Sequence, residues 1–340
     1  SGLPDIPTNF PGYGLELLSR MTTQTFVNRA REAGVDVTAN FRPSGTHTWP
    51  YWQFEMKQAW PQYATAVGIE NVEAPCSAEG AIAAAAERQP ALGPCLTDEY
   101  DVPGGKSTDF RFGRVFWSQQ TGAHSVVGAI GASYQAEGGP GGSLGLPTSG
   151  ETVTPDGRGR FSTFQNGVIY WSPSTGAHAV RGGIRALWQE RGAERGELGY
   201  PTTDEITNPN KPGVVQGFQG GTVYWSEETG PKVVEGDILR VYREAGAENS
   251  DLGYPTTDEI SLSTRNGAFS RFQGGYIYWS PRTGAHVVPR GPIFDAWGTV
   301  DYERGRLGYP TGPVRTTRDG QEMDFENGRI TVSGGRAEIS

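Results

Sequence analysis

The sequence predicts a mixed α/β, β-rich fold. A non-repeating segment covers residues 1–68, a linker 69–76, and five repeats 77–340, each a short helix plus a β-hairpin. Three observations predict this. The nonapeptide LGYPTTDEI occurs unchanged at Leu198–Ile206 and at Leu252–Ile260, 54 residues apart. The same step back reaches LGLPTSGE at Leu144, a step of 55 forward reaches LGYPTGPV at Leu307, and LGPCLTDE at Leu92 is a looser copy. A second motif keeps the same step: FWSQQTGAH, YWSPSTGAH, YWSEETGPK and YWSPRTGAH begin at Phe116, Tyr170, Tyr224 and Tyr278. Finally, 50 glycines and 24 prolines mark a turn-rich chain, while an aromatic content of 11% separates it from disordered sequence.

Each unit opens on a helix. The pairs Ile82/Ala86, Ile130/Tyr134, Ile184/Trp188, Ile238/Tyr242 and Ile293/Trp297 are spaced four apart, which puts both members on one helix face. A glycine-containing turn leads to LG[YL]P, where glycine supplies a backbone shape that a Cβ forbids and proline removes a hydrogen-bond donor. GVIYWS and its equivalents alternate large side chains as a strand does. Phe164, Phe218 and Phe272, six residues before the tyrosine, mark the other arm of the hairpin, and TGAHVV returns toward the next helix. The last copy is worn, with FENGRITVS in place of FQGGYIYWS. One unit of this size does not bury its own apolar face, so neighbours must stack. Five units, with no obvious polar cap at either end, predict a pseudo-five-fold ring.

The net charge of −9 and pI near 5.1 exclude a nucleic-acid partner, which calls for a basic stripe. No apolar run is long enough to span a membrane, and SGLPDIPTNF lacks the charged and apolar regions of a signal peptide. Cys76 and Cys95 bracket a short alanine-rich helix. A disulfide between them is favoured over two free thiols, and it implies an oxidising, extracytoplasmic compartment.

LGYPTTDE, YWS and TGAH at this period resemble the LGFP repeat family of secreted proteins from actinobacteria with mycolate-containing envelopes. The resemblance implies attachment to the cell wall, with arabinogalactan as the partner. Aromatic faces stack on sugar rings, and carboxylates hydrogen-bond hydroxyls. The glycan-binding candidates are therefore Trp117, Trp171, Trp225 and Trp279, with Asp204, Glu205, Asp258 and Glu259. The bland reading sits beside it: the tryptophans pack between repeats, and TTDE caps turns. His124, His178 and His286 recur in TGAH, but Lys232 holds the fourth position, so no metal or other cofactor is expected.

Residues 1–68 lie outside the period. Their GTHTW, Gly45–Trp49, and LELLSR, Leu15–Arg20, resemble the C-terminal end of the mycolyltransferases of the actinobacterial envelope, which are α/β-hydrolases. The resemblance implies that His47 is the general base and Glu16 its orienting acid, on consecutive loops, with an aromatic-rich closing helix over 49–68. In such enzymes the serine precedes the acid, and the 15 residues before Glu16 offer no nucleophile elbow. Gly141–Gly145 matches G-x-S-x-G formally, but Ser143 falls where Glu197, Asp251 and Arg306 stand in other repeats, so it is not a nucleophile. The expectation is a C-terminal fragment of a secreted mycolyltransferase, inactive alone and completed by its missing N-terminal part. The family uses trehalose mycolates as acyl donors. The rival reading is that the repeats only stabilise the esterase or mediate oligomerisation; another is that they bind peptidoglycan.

Overall fold

The computed structural model describes residues 10–35, 37, 59, 60, 63, 67, 76 and 78–340. Within the first segment, helix α1 spans Phe10–Glu32 and buries Val27. Of the closing helix expected over 49–68, Ala59, Trp60 and Tyr63 are helical, and most of the rest lies outside the described residues. From residue 78 onward the chain alternates short helices with antiparallel sheets. The helices are α2 (Gly80–Glu87), α3 (Gly128–Ala136), α4 (Gly182–Glu190), α5 (Gly236–Glu244) and α6 (Pro292–Gly298). Five sheets, I to V, follow them in turn, so all five expected repeats are present.

Each sheet has four strands, not the two of the expected hairpin, and its strand order follows the chain. Sheet IV is typical: Ile260–Ser261, Ala268–Arg271, Gly275–Ser280 and Gly284–Pro289. The sequence reading missed the first strand because two residues are too short to show alternation. It read the fourth as a return segment because TGAH opens on a turn. In that turn Ser280 Oγ accepts the Thr283 N–H at 3.1 Å, and the same serine–threonine contact recurs at Ser118, Ser172 and Ser226. Cys76 and Cys95 form the expected disulfide, with Cα atoms 5.8 Å apart, tying the lead into α2 to the loop behind it.

The described chain forms two compact units, Ser1–Ala179 and Val180–Ser340. In the second unit, the two faces of sheet IV serve different helices. Ala268, Ile277 and Ala285 pack on Ile238, Leu239 and Tyr242 of α5. Phe269, Tyr278 and Val288, offset by one residue along each strand, pack on Ile293 and Trp297 of α6. This is the period-two alternation of a strand used on both sides. In this unit α5 and α6 are correspondingly each held between two sheets by an aromatic residue. Tyr242 meets Tyr224 of sheet III edge-on at 5.1 Å and Phe272 of sheet IV at 4.5 Å. Trp297 meets Tyr278 at 4.7 Å and Phe325 of sheet V at 5.2 Å. The first unit repeats the arrangement with Phe116, Tyr134 and Phe164.

The helix aromatic also carries a polar atom, and that atom has one destination. The hydroxyls of Tyr134 and Tyr242 donate to the carbonyls of Gly145 and Gly253 at 2.7 Å, and the indole N–H groups of Trp188 and Trp297 donate to those of Gly199 and Gly308. These are the glycines of LG[YL]P. Gly253 sits at φ +64°, and a Cβ there would collide with Gln273 Oε1, which accepts the N–H of Tyr254 at 2.8 Å. The motif is therefore a turn clamped from both sides. Tyrosine and tryptophan alternate at the helix position because both combine a large apolar ring with a donor.

Sheet V departs from the plan on one face. Where sheet IV presents Phe269, Arg271 and Tyr276, sheet V presents Glu322, Asp324 and Arg329. Arg315 and Arg329 each pair with both acids, at 2.5–3.1 Å. The last sheet thus carries a charged outer face where the sequence showed no obvious polar cap. Its other face, with Met323, Phe325, Ile330 and Val332, remains apolar against α6.

The clamp makes a testable statement. Tyr242→Phe leaves the ring in place and orphans the buried Gly253 carbonyl, so it should lower unfolding free energy by about 1–3 kcal/mol. Urea midpoints of the two proteins measure this, and equal midpoints would remove the clamp from the stabilising contacts.

Candidate functional site

The tryptophans of the YWS motif occupy the third strand of sheets I to IV, and all four are half-buried. Trp117 packs with the α2 cluster, Trp171 with that of α3 and Trp279 with that of α5. The indole N–H of Trp279 donates to Asp237 Oδ2 at 3.0 Å, and Trp225 lies so close to Gly183 that a Cβ there would stand 2.9 Å from its nitrogen. Asp237 and Gly183 both lie in first helical turns. These indoles brace helix starts, as the packing reading expected.

The TTDE segments are equally occupied. The second threonine closes the turn onto the sheet: Thr203 Oγ1 accepts the Gly217 N–H at 2.9 Å and Thr257 Oγ1 that of Arg271 at 3.0 Å. Ser149 and Thr97 do the same in their own repeats. Asp258 accepts from the Val233 N–H at 2.7 Å and from Arg191 at 2.6 Å, linking two successive repeats. Asp204 is also partnered. Glu205 is ion-paired with Arg181 at 2.9 Å.

Glu259 differs. The residue preceding α4 is Arg181, whereas the residue preceding α5 is Glu235. Glu259 therefore lacks the cation that Glu205 has. Burial, then Glu197 and Asp258, push the Glu235 carboxyl above the usual carboxylate range against the pull of Arg191. Desolvation and Glu235 push Glu259 up likewise. Two carboxyls that resist ionisation thus replace an ion pair.

The TGAH histidines are turn elements. A ring nitrogen, Nε2, lies 2.7 Å from the Thr121 carbonyl in His124, 2.9 Å from that of Thr175 in His178 and 2.8 Å from that of Thr283 in His286. Lys232, at the fourth position, donates instead to the carbonyl of the adjacent Pro231 at 3.2 Å. Among the described residues, no group of three or more His, Cys, Asp and Glu is arranged to hold a metal. The backbone of Glu16 lies inside α1 and not on a loop, and His47 lies outside the described residues.

Sequence reading missed two sets of residues. One is the buried glutamate of the 3₁₀ turn behind α4, α5 and α6, Glu194, Glu248 and Glu303, at 6–8% exposure. Asn208 of the preceding sheet donates to Glu248 at 3.0 Å. The other is a half-buried aromatic cluster, Tyr276, Phe294 and Tyr302, at the junction of the last two repeats. The signal for both was in the alignment of copies: a glutamate kept in register, and three aromatics where the other copies have none.

The LGFP repeat matches residues 92–142, 144–196, 198–250 and 252–305. The chain belongs to the LGFP repeat family. The matches take in four of the five repeats, and the unit from Leu307 shares their fold despite its altered strand. No curated protein matches the LGFP chain. Two crystal structures from B. thetaiotaomicron show a faint likeness. They are extracellular domains assigned to a hybrid two-component and a one-component system, each 10% identical over 71% of this chain, with TM-scores of 0.14 and 0.13. The chain spans about a quarter of the length of those structures, 26% in both cases. At those scores neither likeness bears on fold or function. No helix among the described residues is long and apolar enough to cross a membrane.

The Glu235–Glu259 pair yields a pH prediction. A carboxyl whose folded pKa is raised is penalised when ionised, and the penalty is absent below the unfolded pKa and grows as pH rises through the folded one. Glu235→Arg restores the charge that Arg181 supplies in the preceding repeat. It should raise the Tm at pH 7, and the gain should fade as pH falls toward about 4. Thermal unfolding across that range checks it; a gain independent of pH would contradict the pairing.

Proposed function

We propose that the repeats bind the polysaccharide of a mycolate-bearing cell wall, arabinogalactan, and hold an attached secreted mycolyltransferase beside its acceptor. The single observation that carries this is the run of four family matches, since LGFP repeats are generally associated with cell walls. The Cys76–Cys95 disulfide supports an extracytoplasmic location, where such bonds persist. Tethering raises the local concentration of enzyme at its substrate without adding catalytic groups. In this reading residues 1–68 are the end of the α/β-hydrolase domain. His47 is the base and Glu16 its orienting partner, and the serine is contributed from outside this chain. Transfer of a mycoloyl group from trehalose monomycolate requires all three.

The test is retention of the full chain on purified arabinogalactan. Retention competed by soluble arabinogalactan and not by peptidoglycan is the expected result. No retention, together with loss of thermal stability in the partner esterase when the repeats are deleted, would instead assign the repeats a stabilising role.

A further inference from the structure

The aromatic cluster at the junction of the last two repeats is not required by the fold. The third-strand position held by Tyr276 is Arg114, Val168 and Thr222 in the preceding copies. The helix position of Phe294 is Gly131, Arg185 and Leu239, and that of Tyr302 is Gly139, Ala193 and Ala247. Three small, aliphatic or charged sets support the same helix and sheet elsewhere, so aromatic side chains at all three positions serve something besides the common architecture.

The backbone sharpens the point at Tyr302. The first residue of this 3₁₀ turn is left-handed in every one of these copies, with φ +57°, +52° and +50° at Gly139, Ala193 and Ala247, and +50° at Tyr302. Glycine tolerates that region and a bulky side chain is disfavoured in it. A tyrosine kept at a strained position is a mark of functional sites. Geometry brings the three rings into one surface. Tyr276 stacks on Phe294 with centroids 4.0 Å apart and planes 8° from parallel, and Tyr302 lies 5.1 Å from Phe294 on a tilt of 37°. All three are half-buried, set against Trp297 and Tyr278 of the core beneath, and each keeps part of its surface in solvent. The Tyr302 hydroxyl stands against Gly298 at the end of α6, while among the described residues the Tyr276 hydroxyl has no hydrogen-bond partner and remains available to a ligand.

The flanking charge selects the ligand. Asp295 and Asp301 are exposed beside Phe294 and Tyr302, Arg304 is paired with Asp301 at 3.5 Å, and the exposed Arg271 stands opposite Tyr276 in the strand register. A border of both signs favours neither polyanion nor polycation and offers hydroxyls acceptors and donors. We infer that Tyr276, Phe294 and Tyr302 form a stacking platform for a neutral sugar ring, and that this platform, not the recurring tryptophans, is the polysaccharide contact of the repeat domain. The inference rests on the wall-binding reading above and locates its site.

The test borrows residues that the fold already accepts. The full chain carrying Tyr276→Thr, Phe294→Leu and Tyr302→Ala, the residues of the Thr222–Leu239–Ala247 set, is compared with wild type by affinity electrophoresis in gels containing purified arabinogalactan. At least ten-fold weaker binding with folding retained is expected. Equal affinity in the folded variant overturns the platform and leaves the wall-binding reading standing, whereas a wild-type chain that is not retarded at all overturns both. Should the triple variant not fold, Tyr302→Ala alone decides, because alanine stands there in two other repeats. Binding that is competed by a peptide and not by neutral oligosaccharide also overturns the assignment.

Discussion

Three helices of this protein, α3, α5 and α6, are each held by a single aromatic side chain shared between two sheets. Tyr134, Tyr242 and Trp297 touch an aromatic ring of the sheet before and another of the sheet after, and each spends its one polar atom on a glycine carbonyl of LG[YL]P. Burying a residue of this size stabilises by roughly 1.5–3 kcal/mol, but the placement matters as much as the area. The ring fixes the spacing between sheets, and the hydrogen bond fixes the turn from which the next sheet starts. The glycine must be left-handed for that carbonyl to face the helix, and the glutamine that accepts the following N–H holds it so. The most repetitive part of the sequence is thus the part where three interactions converge on one short turn.

The conserved-looking polar residues of the repeat are absorbed by the same logic. Serine and threonine of YWSxxT close one turn, histidine of TGAH closes it from the far side, and the second threonine of TTDE fastens the chain to the sheet edge. Each satisfies backbone groups that would otherwise be buried and unpaired. A motif that recurs in register because the backbone needs it is poor ground for a ligand site. Departures from register are better ground, and here they are the Glu235 substitution, the charged face of sheet V and the cluster around Phe294.

Much of this was legible in the sequence. The five units, their helices and the aromatic strand follow from periodicity, since equal spacing of Leu198 and Leu252 or of Tyr224 and Tyr278 implies equal surroundings, and the disulfide from two cysteines that bracket one helix. The four-stranded sheet was not legible: Ile260–Ser261 is too short to alternate, and its pairing with Phe269 and Ala268 is a tertiary fact. Periodicity placed the tryptophans in register but reported nothing of their exposure, which is half-burial in all four. Only the contact of Trp279 with Asp237 shows that an indole is spent on a helix start.

Because α3, α5 and α6 each pack on the sheet behind and on the sheet ahead, a cut before such a helix and a cut after it divide the same kind of joint. A gene segment of one period, excised or duplicated from any starting phase, would bring one wedge and one receptor for the next wedge. Arrays of this kind can therefore lengthen or shorten in whole periods without redesign of the joints, and only the outermost surfaces, such as the charged face of sheet V, would need fresh selection.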